Sequence, residues 1–220
     1  MNRWVLLGLG VLVLSAVAGW AIFFSRLLTA QSVSVQGNVR LESSLIQRTA
    51  RLTPGVPLAR TDIDAIAARV AALPAIRSVS VRRSWPHTVA VSVVERTAVA
   101  RLDTAEGVRG IDVTGAVFRL AGAPARSLPM LTTSASTTPE AIVEGAAVAA
   151  QLPARIAKRV DQIEVATKDS ITLSLRGGDD VVWGSAQDSA HKARVLTALL
   201  RRPATVYDVS VPGLPTTTGE

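Results

Sequence analysis

The 21 residues from Trp4 to Phe24 carry no charge, and this run restricts the chain's options more than any other stretch. At about 1.5 Å per residue it makes a helix roughly 30 Å long, which matches the hydrocarbon core of a bilayer. Trp4 and Trp20, with Arg3 and Arg26 flanking, stand where interfacial anchors belong. A signal peptide cleaved after Ala16-Val17-Ala18 is the competing reading. Against it, Trp20-Ala-Ile-Phe-Phe24 carries the apolar run past that site, beyond the length of an ordinary h-region. The expectation is an uncleaved transmembrane signal anchor at 4–24, a cytoplasmic tail at 1–3, and an extracytoplasmic carboxy-terminal part. Charge alone barely decides the orientation, because Arg3 is balanced by Arg26 and Arg40 beyond the run.

The 220 residues suffice for one or two domains with a real core. The net charge is +7, from 21 Arg and 3 Lys against 17 acids. The arginines are scattered, with no run longer than Arg82-Arg83 or Arg201-Arg202, and no basic stripe interleaved with aromatics that would suit a nucleic acid. No cysteine is present, so disulfides and thiolate metal sites are excluded.

Past the anchor, Ser32-Val-Ser-Val-Gln-Gly37-Asn38 reads as an alternating strand closed by a turn signal. Glu42–Arg51 reads as a short helix. Thr61 is the expected N-cap of a second helix, with Asp64 completing a capping box and Ile63, Ile66, Ala67 and Val70 on its apolar face. Pro74 ends it. Then Val79 and Val81 alternate on one side of Arg83-Ser-Trp-Pro-His87, and Val89, Val91 and Val93 alternate on the other, the pattern of a hairpin with one buried face. Strand, helix, helix and hairpin make an α+β layer in which two helices cover one face of a three-stranded sheet. Further along, strands are expected at Ala98–Leu102, Val108–Asp112, Ala116–Leu120, Val160–Ala166, Ser170–Leu175, Asp180–Trp183 and Val206–Val211. Helices are expected from Thr137 or Thr138 to Leu152 and over Ser189–Arg201. Ser127–Thr132 leads into a Thr/Ser-rich loop, and 213–220 reads as a polar tail.

Val33-Ser-Val-Gln-Gly37-Asn38, Gly55-Val-Pro57-Leu58, Leu73-Pro-Ala-Ile76, Val79-Ser-Val-Arg82-Arg-Ser-Trp85-Pro86 and Val91-Ser-Val-Val-Glu95-Arg96 resemble, in order and spacing, the POTRA domain of the bacterial cell-division family FtsQ/DivIB. The resemblance covers 30–98, directly after a single anchor; Ala98 stands where that family usually has a proline. It implies a β-α-α-β-β POTRA domain followed by a β domain at 99–212, with two helices, whose strands continue the same sheet. Val181-Val-Trp-Gly184 and Tyr207-Asp-Val-Ser-Val-Pro212 are similar to the family's second domain. Gly37, Pro57, Arg82, Trp85, Pro86, Glu95 and Arg96 are the motif positions.

No constellation for catalysis emerges. Ser189-Ala-His-Lys192 fits the S-x-x-K pattern of penicillin-binding proteins, but S-D-N and K-T-G are absent. An i,i+4 pair of Asp188 with Lys192, and a cap from Asp188 or Ser189, explains the same residues. His87 and His191 fall in separate predicted domains, and Asp179 and Asp180 occupy a turn. No cofactor and no metal are expected.

The resemblance therefore implies a non-enzymatic, single-pass scaffold at the division septum. It would bind FtsB/DivIC-like and FtsL-like bitopic partners and help to control septal peptidoglycan synthesis. The family binds its partner through the last strands of the β domain, which carries over to Val206, Tyr207, Val209 and Val211, with Tyr207 as an aromatic anchor on a free strand. An ordinary core-facing edge strand explains these four residues equally well. A POTRA component of polypeptide export or outer-membrane assembly is the alternative; it calls for tandem repeats of the domain or a carboxy-terminal barrel, and the sequence shows neither. A wall-polymer-binding module would rest on positive charge alone.

Overall fold

The computed structural model describes residues 3–24, 28–120 and 127–219. Helix α1 runs Arg3–Phe24, 22 residues. Among the described residues no helix is long and apolar enough to cross a membrane. The side chains at positions 3, 5, 6, 18 and 21–24 of α1 lie outside the described residues, so the bilayer-spanning expectation is carried by the sequence. Two compact units divide the chain, Met1–Arg96 and Thr97–Glu220.

In the first unit, β1 (Ser32–Gln36) precedes α2 (Ser43–Ala50), a 3-10 turn (Leu58–Arg60), α3 (Ile63–Ala71), β2 (Ile76–Ser84) and β3 (Thr88–Glu95). The strand order is β1-β3-β2, with β3 parallel to β1 and antiparallel to β2. Because β3 is central, its period-two residues Val89, Val91 and Val93 are buried with Ile46, Leu58, Ile66 and Val70. On the outer strands Val33, Val35, Val79 and Val81 pack against this core while only partly buried, as edge positions dictate.

The helix starts follow capping chemistry, with one correction. Asp62, not Thr61, is the N-cap of α3, its carboxylate accepting from Ala65 N at 2.9 Å. Thr61 closes the preceding 3-10 turn, so the cap falls one residue later than the capping-box reading placed it.

The second unit contains β4 (Ala100–Leu102), β5 (Arg109–Ile111), β6 (Val117–Phe118), β7 (Met130–Thr133), α4 (Pro139–Gln151), α5 (Ala154–Ala157), β8 (Val160–Thr167), β9 (Ser170–Leu175), β10 (Asp180–Val182), α6 (Ser189–Leu199), β11 (Val206–Asp208) and β12 (Thr216–Thr218). They form a mixed sheet ordered β12-β11-β10-β9-β8-β7-β4-β5-β6. Thr138 caps α4, accepting from Ala141 N at 3.3 Å, with Pro139 in the first turn. Gly145 lets α4 approach the sheet closely: a Cβ there would collide with the side chain of Val165.

Three expectations change. The strands of the second unit build their own nine-stranded sheet and do not continue the three-stranded one. β3, the strand that leads into the second unit, already has a neighbour on each side and offers no edge to the strands that follow it. Met130–Thr133, expected to lead into a loop, is a strand lying parallel to both β4 and β8. The tail expected at 213–220 contains β12, antiparallel to β11.

Candidate functional site

β12 covers the outer side of β11, so β11 is not the free edge that the sequence led us to expect. It pairs with β10 in parallel, Asp180 to Val206 through Val182 to Asp208, and with β12 on its other side. Tyr207 is 2% exposed and Val209 is fully buried. The Tyr207 hydroxyl accepts from Ala204 N at 3.1 Å and donates to Arg202 O at 2.8 Å. This side chain ties the turn after α6 to the sheet, and it is not an exposed anchor. Val209 N donates to Val182 O at 3.0 Å. Val206 is half-buried, and of the four only Val211, 58% exposed, is open. The carried-over set thus splits into two core residues, one partly covered residue and one exposed residue.

The edge itself is Thr216–Thr218, exposed at every position. Thr205 N donates to Gly219 O at 3.2 Å and to Thr218 O at 3.0 Å. Thr205 O accepts from Asp180 N at 2.9 Å and Val209 N donates to Val182 O, so alternate residues of β11 face β10 and leave Val206 and Asp208 to bond with Thr218 and Thr216 across the β12 ladder. The backbone N–H and C=O of Thr217 therefore point away from β11. Leu214, 80% exposed, stands with Val211 in the turn joining the two strands. An outward backbone donor and acceptor beside two exposed apolar side chains are what an added strand requires. Threonine carries little pattern, so this strand has no local signal beyond its β-branching.

In the first unit the motif residues hold the backbone together. Glu95 accepts from Val39 N at 2.9 Å, from Leu41 N at 2.9 Å, and from Arg40 N with both oxygens at 3.1 and 3.0 Å. Burial raises this carboxyl, but those N–H groups and the Arg40 charge outweigh it and hold it below the usual carboxylate range. Gly37 sits at φ +83, and a Cβ there would strike Val93 O. Pro57 opens the 3-10 turn, its carbonyl accepting from Arg60 N at 2.9 Å. Arg83, next to the motif positions, forks onto Leu58 O and Thr61 O, both at 2.9 Å. Its neighbour Arg82 is exposed, as are Trp85 and Pro86 in the hairpin loop. Arg96 donates through Nε to Pro74 O at 3.1 Å, and its amide donates to Ala75 O at 2.8 Å.

Ser189 and Lys192 are both buried but are not joined in the way a nucleophile and its base would be. Ser189 Oγ accepts from the Trp183 indole at 3.1 Å and donates to Ala186 O at 2.8 Å. Lys192 Nζ donates to Ser185 O at 2.9 Å, which replaces the ion pair with Asp188 expected from spacing. Burial pushes the Lys192 ammonium below its usual range, opposed by the charges of Asp188 and Glu144. Asp188 is the N-cap residue of α6, yet its side chain makes no capping bond. Among the described residues no group of three His, Cys, Asp or Glu converges as a metal site would need.

A β-α-α-β-β unit closed by Glu95 and Arg83, followed by a large mixed sheet, defines a POTRA-bearing α+β protein. The match is specific on both sides of the unit boundary: residues 28–96 match the POTRA domain, FtsQ-type, and 100–210 match the model described as "Cell division protein FtsQ/DivIB, C-terminal". A cell division protein FtsQ of Streptomyces venezuelae is 35% identical over 229 residues, covering 99% of this chain and 84% of the relative. One from Streptomyces collinus is 33% identical, covering 95% of this chain and 85% of its own. For one from Mycolicibacterium smegmatis the identity is 35%, with coverage of 94% and 62%. The chain belongs to the FtsQ/DivIB family of cell division proteins.

Proposed function

We propose that this protein is a non-enzymatic scaffold of the division machinery. α1 anchors it in the plasma membrane with its amino terminus in the cytoplasm, and its two folded units stand outside the cytoplasm at the septum. There it binds FtsB/DivIC-like and FtsL-like partners and helps to control septal peptidoglycan synthesis. The observation that carries the interaction reading is the exposed edge strand β12, whose outward donor at Thr217 stands beside exposed Val211 and Leu214. A partner strand added there would gain about 0.5–1.5 kcal/mol net per backbone hydrogen bond.

The membrane reading is supported by the uncharged run from Trp4 to Phe24 and by the apolar surface of α1. Leu7, Leu9, Val11, Leu12, Val13 and Leu14 are all exposed. A helix apolar on every side belongs in a core or in lipid. Depletion tests the function: filamentous cells with missing septa are expected, whereas normal septa after full depletion would favour a role in polypeptide export.

A further inference from the structure

Arg51, Arg60 and Arg69 line a cavity of about 280 Å³ in the first unit, with Asp62 as the one acid in its wall. Arg51 also borders an adjoining cleft that contains Arg48. Among the described residues no ion pair involves Arg48, Arg51 or Arg69. The Asp62 carboxylate is directed at Ala65 N, where it caps α3. Arg69 is held in place by Nε and Nη2, which donate to Ala50 O at 3.1 and 2.7 Å. Positive charge is therefore concentrated in a concave site whose acid is turned to other work. Guanidinium forks match phosphate oxygens in geometry and shed water more readily than ammonium groups.

The place of the cavity selects the anion. Val56 lines it, and Val56 O accepts from Ala30 N at 2.8 Å, beside a bridge between Thr29 and Pro57. From Phe24 at the end of α1 to Ala30 the chain reaches at most about 20 Å. The 3-10 turn carrying Arg60 lies against α1. With α1 across a bilayer, the cavity is tethered within reach of the headgroup layer, the zone where basic side chains attract anionic lipid. We propose that this cavity binds the phosphate of an anionic phospholipid headgroup and so holds the first unit against the membrane surface. An acidic peptide or a soluble phosphate offers similar charge but gains nothing from the tether.

The proposal rests on the reading that α1 spans the membrane, and its test separates the two. The full chain is reconstituted in nanodiscs of phosphatidylcholine alone and of phosphatidylcholine mixed with phosphatidylglycerol, and amide hydrogen exchange is followed over 48–62. Slower exchange in the anionic discs is expected. The effect should weaken roughly fivefold for each arginine removed in Arg51→Asn and Arg60→Gln, with unchanged thermal melting as the folding control. Inorganic phosphate added to the neutral discs should not reproduce it. Equal exchange in both discs, with the chain resisting alkaline extraction, overturns the lipid site and leaves the anchor standing. Protection by inorganic phosphate alone overturns the lipid as its source. A chain that alkali strips from the discs overturns the anchor and the lipid site with it.

Discussion

The β2–β3 hairpin of the first unit and the β11–β12 hairpin of the second differ in where their hydrogen-bonding capacity goes. Around β2–β3 the polar groups turn inward: Glu95 gathers the amides of Val39, Arg40 and Leu41, and Arg83 holds the carbonyls of Leu58 and Thr61. At β11–β12 the last strand is three exposed threonines with outward backbone groups. The strongly patterned hairpin is built to hold a fold, and the featureless one leaves an edge for another chain. A motif residue such as Glu95 thus marks a place where loop backbone must be held, and the surface open to a partner bears no comparable signature.

The largest effect that could break this contrast comes from Tyr207→Pro. Since Tyr207 is buried and its hydroxyl joins Ala204 N to Arg202 O, the substitution should cost about 3–5 kcal/mol or more. Thermal melting should show the second unit unfolding; a folded variant that merely loses partner binding would restore Tyr207 as an interface residue. Next in size, Glu95→Gln should destabilise the first unit by about 1–2 kcal/mol at neutral pH, allowing for solvent screening of a partly exposed group. Because the Glu95 carboxyl is lowered in the folded state, its contribution is complete above the ordinary carboxylate pKa and disappears as pH falls through the lowered one. Melting curves of wild type and Glu95→Gln should therefore converge in acid, and a constant gap would contradict the assignment. Arg83→Lys should cost about 1 kcal/mol, since an ammonium cannot fork across both carbonyls. Urea midpoints read this directly.

Legibility followed periodicity and sequence separation. The valines of β2 and β3 alternate with polar residues, so their faces, their pairing and the helices above them could be read from local pattern. The matching family models then extend the same reading across the second unit. What failed had no local signal. Met130–Thr133 is four residues long and is a strand only because β4 and β8 flank it. Thr216–Thr218 follows a turn of Pro and Gly, and only its register with Val206–Asp208 makes it a strand. Tyr207 was misplaced for a related reason: alternation shows which residues share a face, but not whether another strand lies beyond. Lys192 read as half of a helical ion pair, and only the fold brings Ser185 O to its ammonium.

The open edge of β12, and not the hairpin motif, is the proposed meeting place with the partner. Thr217→Pro removes an outward donor without taking a bond from the β11 ladder, so its effect on melting should be below about 1 kcal/mol. Affinity for the proposed FtsB/DivIC-like partner, measured with the full-length Thr217→Pro and Trp85→Ala variants in the same membrane mimic, separates the two surfaces. At least a several-fold loss is expected for Thr217→Pro and none for Trp85→Ala; the reverse result would move the partner surface to the hairpin.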